Sequence, residues 1–156
     1  MSNSVLTGQA DVMRAINNTI AKLGNGHVDI GFMEGATYPA TKEGDKPLPV
    51  AQVAFWNEFG TATSPPRPFF RRMIAAEQNH WAKDVTVLSS IHQGNGKKTL
   101  EAIGAKIERE LQKSINDFVS PALSPNTRKK SAKAGFDKPL IDTGHMLNSI
   151  TSEVHS

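Results

Sequence analysis

Cysteine is absent from the 156 residues, which excludes disulfides, thiolate catalysis and every zinc site built on sulfur ligands. Aromatic residues are few, at 6%, and no RNA-reading aromatic motif accompanies the basic residues. No apolar run approaches the length of a membrane span, so no membrane partner is expected. The start, Met1-Ser2-Asn3-Ser4-Val5, has no basic segment followed by an apolar stretch, so no secretory signal is expected either and the protein should work where it is made. Gly94-Asn95-Gly96-Lys97-Lys98-Thr99 only superficially imitates a P-loop. His27, His80, His92, His145 and His155 show neither i, i+4 pairing with Glu nor tight clustering, and read as scattered surface residues. No metal or other cofactor is expected. What is present, 38% hydrophobic and 21% charged residues, is the composition of a globular chain, and its size is that of one domain spanning 1–156.

The net charge of +3 is unevenly spread. Residues 1–66 carry −2, whereas residues 97–138 carry +5, concentrated at Arg128, Lys129, Lys130 and Lys133 in a basic loop over 124–138. Such a run reads first as a solvated surface and second as a patch facing DNA or an acidic partner.

Apolar periodicity divides the chain. Val12, Ile16, Ile20 and Leu23 share one helical face, and Gly24-Asn25-Gly26 then stops the helix. His27 to Met33 alternates, with Val28, Ile30 and Phe32 on one face, as a half-buried strand does. Residues 35–49, rich in Gly, Pro, Thr and charge, predict an exposed loop arm. Pro49 suits the first position of a helix reaching Phe59, whose inner side would hold Val53, Ala54 and Trp56 to Phe59. Thr61 to Pro68 contains three prolines and predicts a rigid extended connector. A helix from Phe69 carries Phe70, Met73, Ile74, Trp81, Val85 and Leu88, and ends at Gly94-Asn95-Gly96. The strongest stripe is Leu100, Ile103, Ile107, Leu111, Ile115 and Phe118, a helix of roughly six turns and the expected spine. Ser120-Pro121 breaks it; a short capped helix over 145–149 and a strand over 150–154 close the pattern. The expected class is α+β: a small mixed or antiparallel sheet packed against two or three long amphipathic helices, with extended loops.

Three local motifs invite functional readings. Leu140-Ile141-Asp142-Thr143-Gly144 matches an aspartic-protease signature, but that chemistry needs an all-β body, so Asp142 or Thr143 is expected to cap the next helix instead. Pro65-Pro66-Arg67-Pro68 has the form of a polyproline ligand, yet its apolar flanks favour a linker at a buried edge. Arg67, Arg71 and Arg72 stand where a helix begins, against its dipole, which calls for pairing with Glu58 or Glu77 or for an acidic partner surface.

Val53-Ala54-Phe55-Trp56-Asn57-Glu58-Phe59-Gly60-Thr61, followed by Pro65-Pro66-Arg67-Pro68-Phe69-Phe70-Arg71, resembles the tail-completion, or neck, proteins of tailed bacteriophages. In that family an aromatic-x-Glu-Phe-Gly-Thr segment leads to a Pro-x-Arg-Pro-Phe-[Phe/Leu]-Arg segment. A second block, Lys138-Pro139-Leu140-Ile141-Asp142-Thr143-Gly144-His145-Met146-Leu147-Asn148-Ser149-Ile150, is similar to the family's ending. The resemblance implies a non-enzymatic virion protein, present in the host cytoplasm during assembly, that completes the tail end and joins it to the head connector. It further implies a homo-oligomeric ring, commonly six-fold, with a head-tail adaptor or connector on one side, a tail terminator or tail tube on the other, and DNA within the channel. On this reading Trp56, Phe59, Phe69 and Phe70 form a core where the connector folds back, and Gly60, Pro68, Asp142, Thr143 and Gly144 are structural motif positions. Glu58, Arg67, Arg71, Arg72 and the basic group Arg128, Lys129, Lys130 and Lys133 are the interface candidates. The sequence ends at Ser156, soon after its last strand begins; if the family extends that strand, edge pairing from a neighbouring subunit is expected. The alternative from composition alone is a small basic DNA-binding accessory protein.

Overall fold

The computed structural model describes residues 8–40, 43–119, 140 and 144–155. Its elements are α1 (Gln9–Leu23), β1 (His27–Phe32), β2 (Thr37–Tyr38), β3 (Leu48–Pro49), α2 (Val50–Phe59), α3 (Phe69–Ile91), α4 (Gly96–Asn116), α5 (His145–Asn148) and β4 (Ile150–His155). The class is α+β, with helices packed against short antiparallel strands.

The spine is α4. Leu100, Ile103, Ile107, Leu111 and Ile115 are all buried on it, as is Phe118 just past its end. Asn95 starts the helix, its side chain accepting the Lys98 N–H at 3.0 Å, while Gln93 and Gly94 turn the chain through positive φ. The turn after α3 sends α4 back antiparallel to it. Two tethers fix this pairing: the Trp81 indole N–H donates to Glu110 at 2.9 Å, and the Ser114 hydroxyl donates to the Phe69 carbonyl at 2.7 Å.

The other side of α4 carries the β1–β4 pair, in register from His27 opposite His155 to Phe32 opposite Ile150. Val28 and Ile30 face the core as the alternation predicts. Contact is close because Gly104 has no Cβ; one built there would lie 2.9 Å from Ser152 Oγ and 3.0 Å from Val28 Cγ2.

Several expectations change. The arm over 35–49 is not all loop: β2 and β3 pair antiparallel, Thr37 opposite Pro49 and Tyr38 opposite Leu48, and the Val50 N–H donates to the Ala36 carbonyl at 2.9 Å. Pro49 ends that hairpin and stands one residue before α2, not within it. The connector is not extended throughout, since it opens with a tight turn closed between Thr61 and Ser64. On α1, Val12 and Ile20 remain exposed, so its apolar face is only partly covered by α3 and α4. The basic loop with Arg128, Lys129, Lys130 and Lys133, and the residues Asp142 and Thr143, lie outside the described residues. Gly144, at φ +71, immediately precedes α5.

Candidate functional site

The first motif block folds into one bracket joining α2 to α3. Apolar residues run almost all round α2, so the sequence pattern leaves its inner face undetermined; the structure buries Val50, Ala54 and Glu58, one residue per turn. Phe55, Trp56 and Phe59 therefore point outward, 58%, 39% and 53% exposed. This corrects the placement of Trp56 and Phe59 in the core. Phe69, 1% exposed, does occupy it, edge-on to Phe32 with ring centroids 6.4 Å apart, and Phe70 is half-buried beside it.

The residue that decides this orientation is Glu58, itself only 5% exposed. Its Oε2 accepts the Phe70 N–H at 2.9 Å, and its Oε1 accepts the Arg71 N–H at 3.1 Å and the Arg71 Nε–H at 2.7 Å. Arg71 Nη2 also donates to the Glu58 carbonyl at 3.0 Å, and its guanidinium lies 4.8 Å from the centre of the Phe59 ring. A carboxylate from the preceding helix thus satisfies N–H groups that α3 leaves free in its first turn, and meets the positive end of its dipole. The pairing expected for the arginines is made here by Arg71. Arg72 is exposed, lining a shallow cleft with Met73, Glu77, Lys113 and Asp117.

The connector supplies the geometry. Gly60, at φ +80, donates its N–H to the Trp56 carbonyl at 2.8 Å, and a Cβ on it would lie 2.9 Å from both the Ser64 carbonyl oxygen and the Pro66 nitrogen. After the turn, the Arg67 N–H donates to the Asn57 carbonyl at 2.6 Å, so the chain doubles back along α2. Pro65 and Pro66 are exposed and Arg67 and Pro68 half-buried, an arrangement between free ligand and buried linker. Pro68, at φ −76 and ψ 68, makes the three-residue turn closed by the Phe69 N–H on the Arg67 carbonyl, 2.8 Å away. Burial holds the Arg67 guanidinium below its ordinary pKa.

Between α2, β1 and the start of α3 lies an apolar cleft of about 290 Å³, with Phe32, Ala54, Phe55, Phe59, Phe69 and Phe70 among its walls and Glu58 and Arg71 at its polar end. Phe55 and Phe59 lean together at its edge, ring centroids 4.7 Å apart. The second block reaches a different part of the fold: Leu140, Met146 and Ile150 are core residues, while His145 donates from Nε2 to the Thr37 carbonyl at 2.9 Å and rests against the Tyr38 ring. It thereby holds the β2–β3 hairpin.

Linear spacing concealed two features. Asn57, whose backbone and side chain both face Arg67, carries no signal of that role in the sequence. The histidines are not all scattered, because strand pairing stacks the rings of His27 and His155 at 4.7 Å. No family model, curated protein or solved structure matches the chain.

Proposed function

We propose that this is a structural protein of a tailed-phage neck, which assembles as a ring, completes the tail end and joins it to the head connector. One observation carries the reading: the bracket built from the first motif block holds three aromatic side chains, Phe55, Trp56 and Phe59, outward on a single short helix. Clustered exposed aromatics on a rigid support are what a subunit interface requires, and a lone globular subunit has little use for them. The two sequence blocks that resemble the neck family support the same role. So does the contrast between an acidic first part and a basic later part of the chain, which suits unlike surfaces meeting between neighbours.

The test is a stop codon placed early in the gene of the phage that encodes the protein, with lysates viewed by electron microscopy. DNA-filled heads beside unattached tails are expected. Intact, infectious particles would overturn the proposal and turn attention to DNA binding by the basic segment.

A further inference from the structure

Away from the bracket, on the outer face of the β1–β4 pair, three side chains of metal-ligating type converge. The register sets His27 directly opposite His155, and Asp29 lies two residues along β1 on the same face. Their ligand atoms all fall within 4.8 Å of one another, and His155 Nε2 is 3.3 Å from Asp29 Oδ2. The two imidazoles stack with an interplanar angle of 18°. We propose that His27, Asp29 and His155 bind a divalent transition-metal cation of the zinc class.

The donor set selects the cation. Two imidazole nitrogens and one carboxylate oxygen suit zinc, nickel or cobalt, whereas magnesium and calcium favour oxygen ligands alone. Ligand atoms held at the usual zinc distance in a tetrahedron stand ~3.4 Å apart. The Asp29–His155 pair already has that spacing, and binding requires the exposed His27 ring to leave its stack on His155, because imidazole lone pairs lie in the ring plane and stacked rings cannot aim at one ion. The backbone beneath has no need to move. Its inner face is seated on α4, where Val28 and Ser152 close over Gly104, so the ligands project from a supported surface. The remaining coordination positions open to solvent, and Glu153, opposite Asp29 in the register, borders them with a further carboxylate.

A bound cation would tie β1 to β4, two strands joined by pairing across most of the chain. Because the unfolded chain does not hold these ligands together, binding stabilises the folded state by an amount that rises with the logarithm of metal concentration above Kd.

The untagged full chain, titrated with zinc chloride in a calorimeter and melted with and without zinc, tests this. Saturable one-to-one binding and a zinc-dependent rise in Tm are expected. His27→Ala and Asp29→Asn should each weaken binding by about tenfold or more and remove the rise. His80→Ala, which alters an exposed histidine elsewhere, should leave both intact, and magnesium chloride should produce neither effect. No saturable binding at millimolar zinc, or binding undiminished in His27→Ala, would overturn the proposal. Since neither readout involves oligomerisation or phage assembly, the result stands apart from the neck reading.

Discussion

Arg71 and Arg72 enter the first turn of α3, where the helix dipole disfavours cations, and Glu58 offsets that conflict by placing a carboxylate on the same N–H groups. The bonds it accepts include two from backbone and one from a guanidinium, so removing the side chain loses a helix cap and a charge-assisted bond together. Glu58→Ala should lower unfolding free energy by about 2–3 kcal/mol in urea titrations, and Glu58→Gln by about half as much, because the amide keeps one acceptor oxygen. Two variants as stable as the parent would show that the bracket closes without the carboxylate. That an arginine here would seek Glu58 or Glu77 was legible in the sequence. The backbone contacts were not, because they depend on the sharp turn at Gly60 bringing α2 and α3 end to end.

At the scale of elements, α3 and α4 are joined by apolar packing, by the two hydrogen bonds from Trp81 and Ser114, and by a charged cluster. Lys106 on α4 pairs with Glu110 one turn on and with Asp84 of α3, at 3.0 Å for the latter. The hydrogen bond to Glu110 is the main reason the lysine pKa is raised, with burial opposing and Asp84 adding to it. A group whose folded pKa exceeds its unfolded value stabilises fully below the unfolded value, and that contribution fades as pH climbs through the folded one. Parent and Lys106→Met should therefore differ in Tm at neutral pH by a small amount, since the ammonium is partly exposed and screened. The difference should shrink once pH passes the ordinary lysine range; a difference constant across that range would place the effect of the substitution in packing. The α4 stripe itself was readable residue by residue, from Leu100 to Phe118, because an exposed opposite face makes the periodicity unambiguous. On α2 the same method failed, as apolar side chains surround the helix and no period singles out a face.

For the whole molecule, the distribution of exposed apolar surface is the guide to behaviour. Phe55 and Phe59 line the apolar cleft, Trp56 is exposed beside Phe55 in the sequence of α2, and none of the three belongs to the buried core. Replacing Phe55 and Phe59 by Ser should leave the Tm of the dilute protein nearly unchanged, within about 0.5 kcal/mol of stability per site. Light scattering after size-exclusion chromatography should show the variant losing any ring the parent forms. A large fall in Tm would mean the rings are structural after all, and unaltered assembly would move the interface elsewhere on the surface.

The sequence by itself determined the class, the number and order of the main helices, the inner face of β1 and the spine on α4, because each follows from local periodicity and from glycine and proline punctuation. It also marked Glu58, Gly60 and Arg71 as belonging to one motif. Only the tertiary structure decided which side of α2 is buried, that residues 37–38 and 48–49 pair, and that His27 meets His155. Those outcomes depend on distances between segments far apart in the chain, set by chain reversal and close approach at Gly104, and no local pattern encodes such distances.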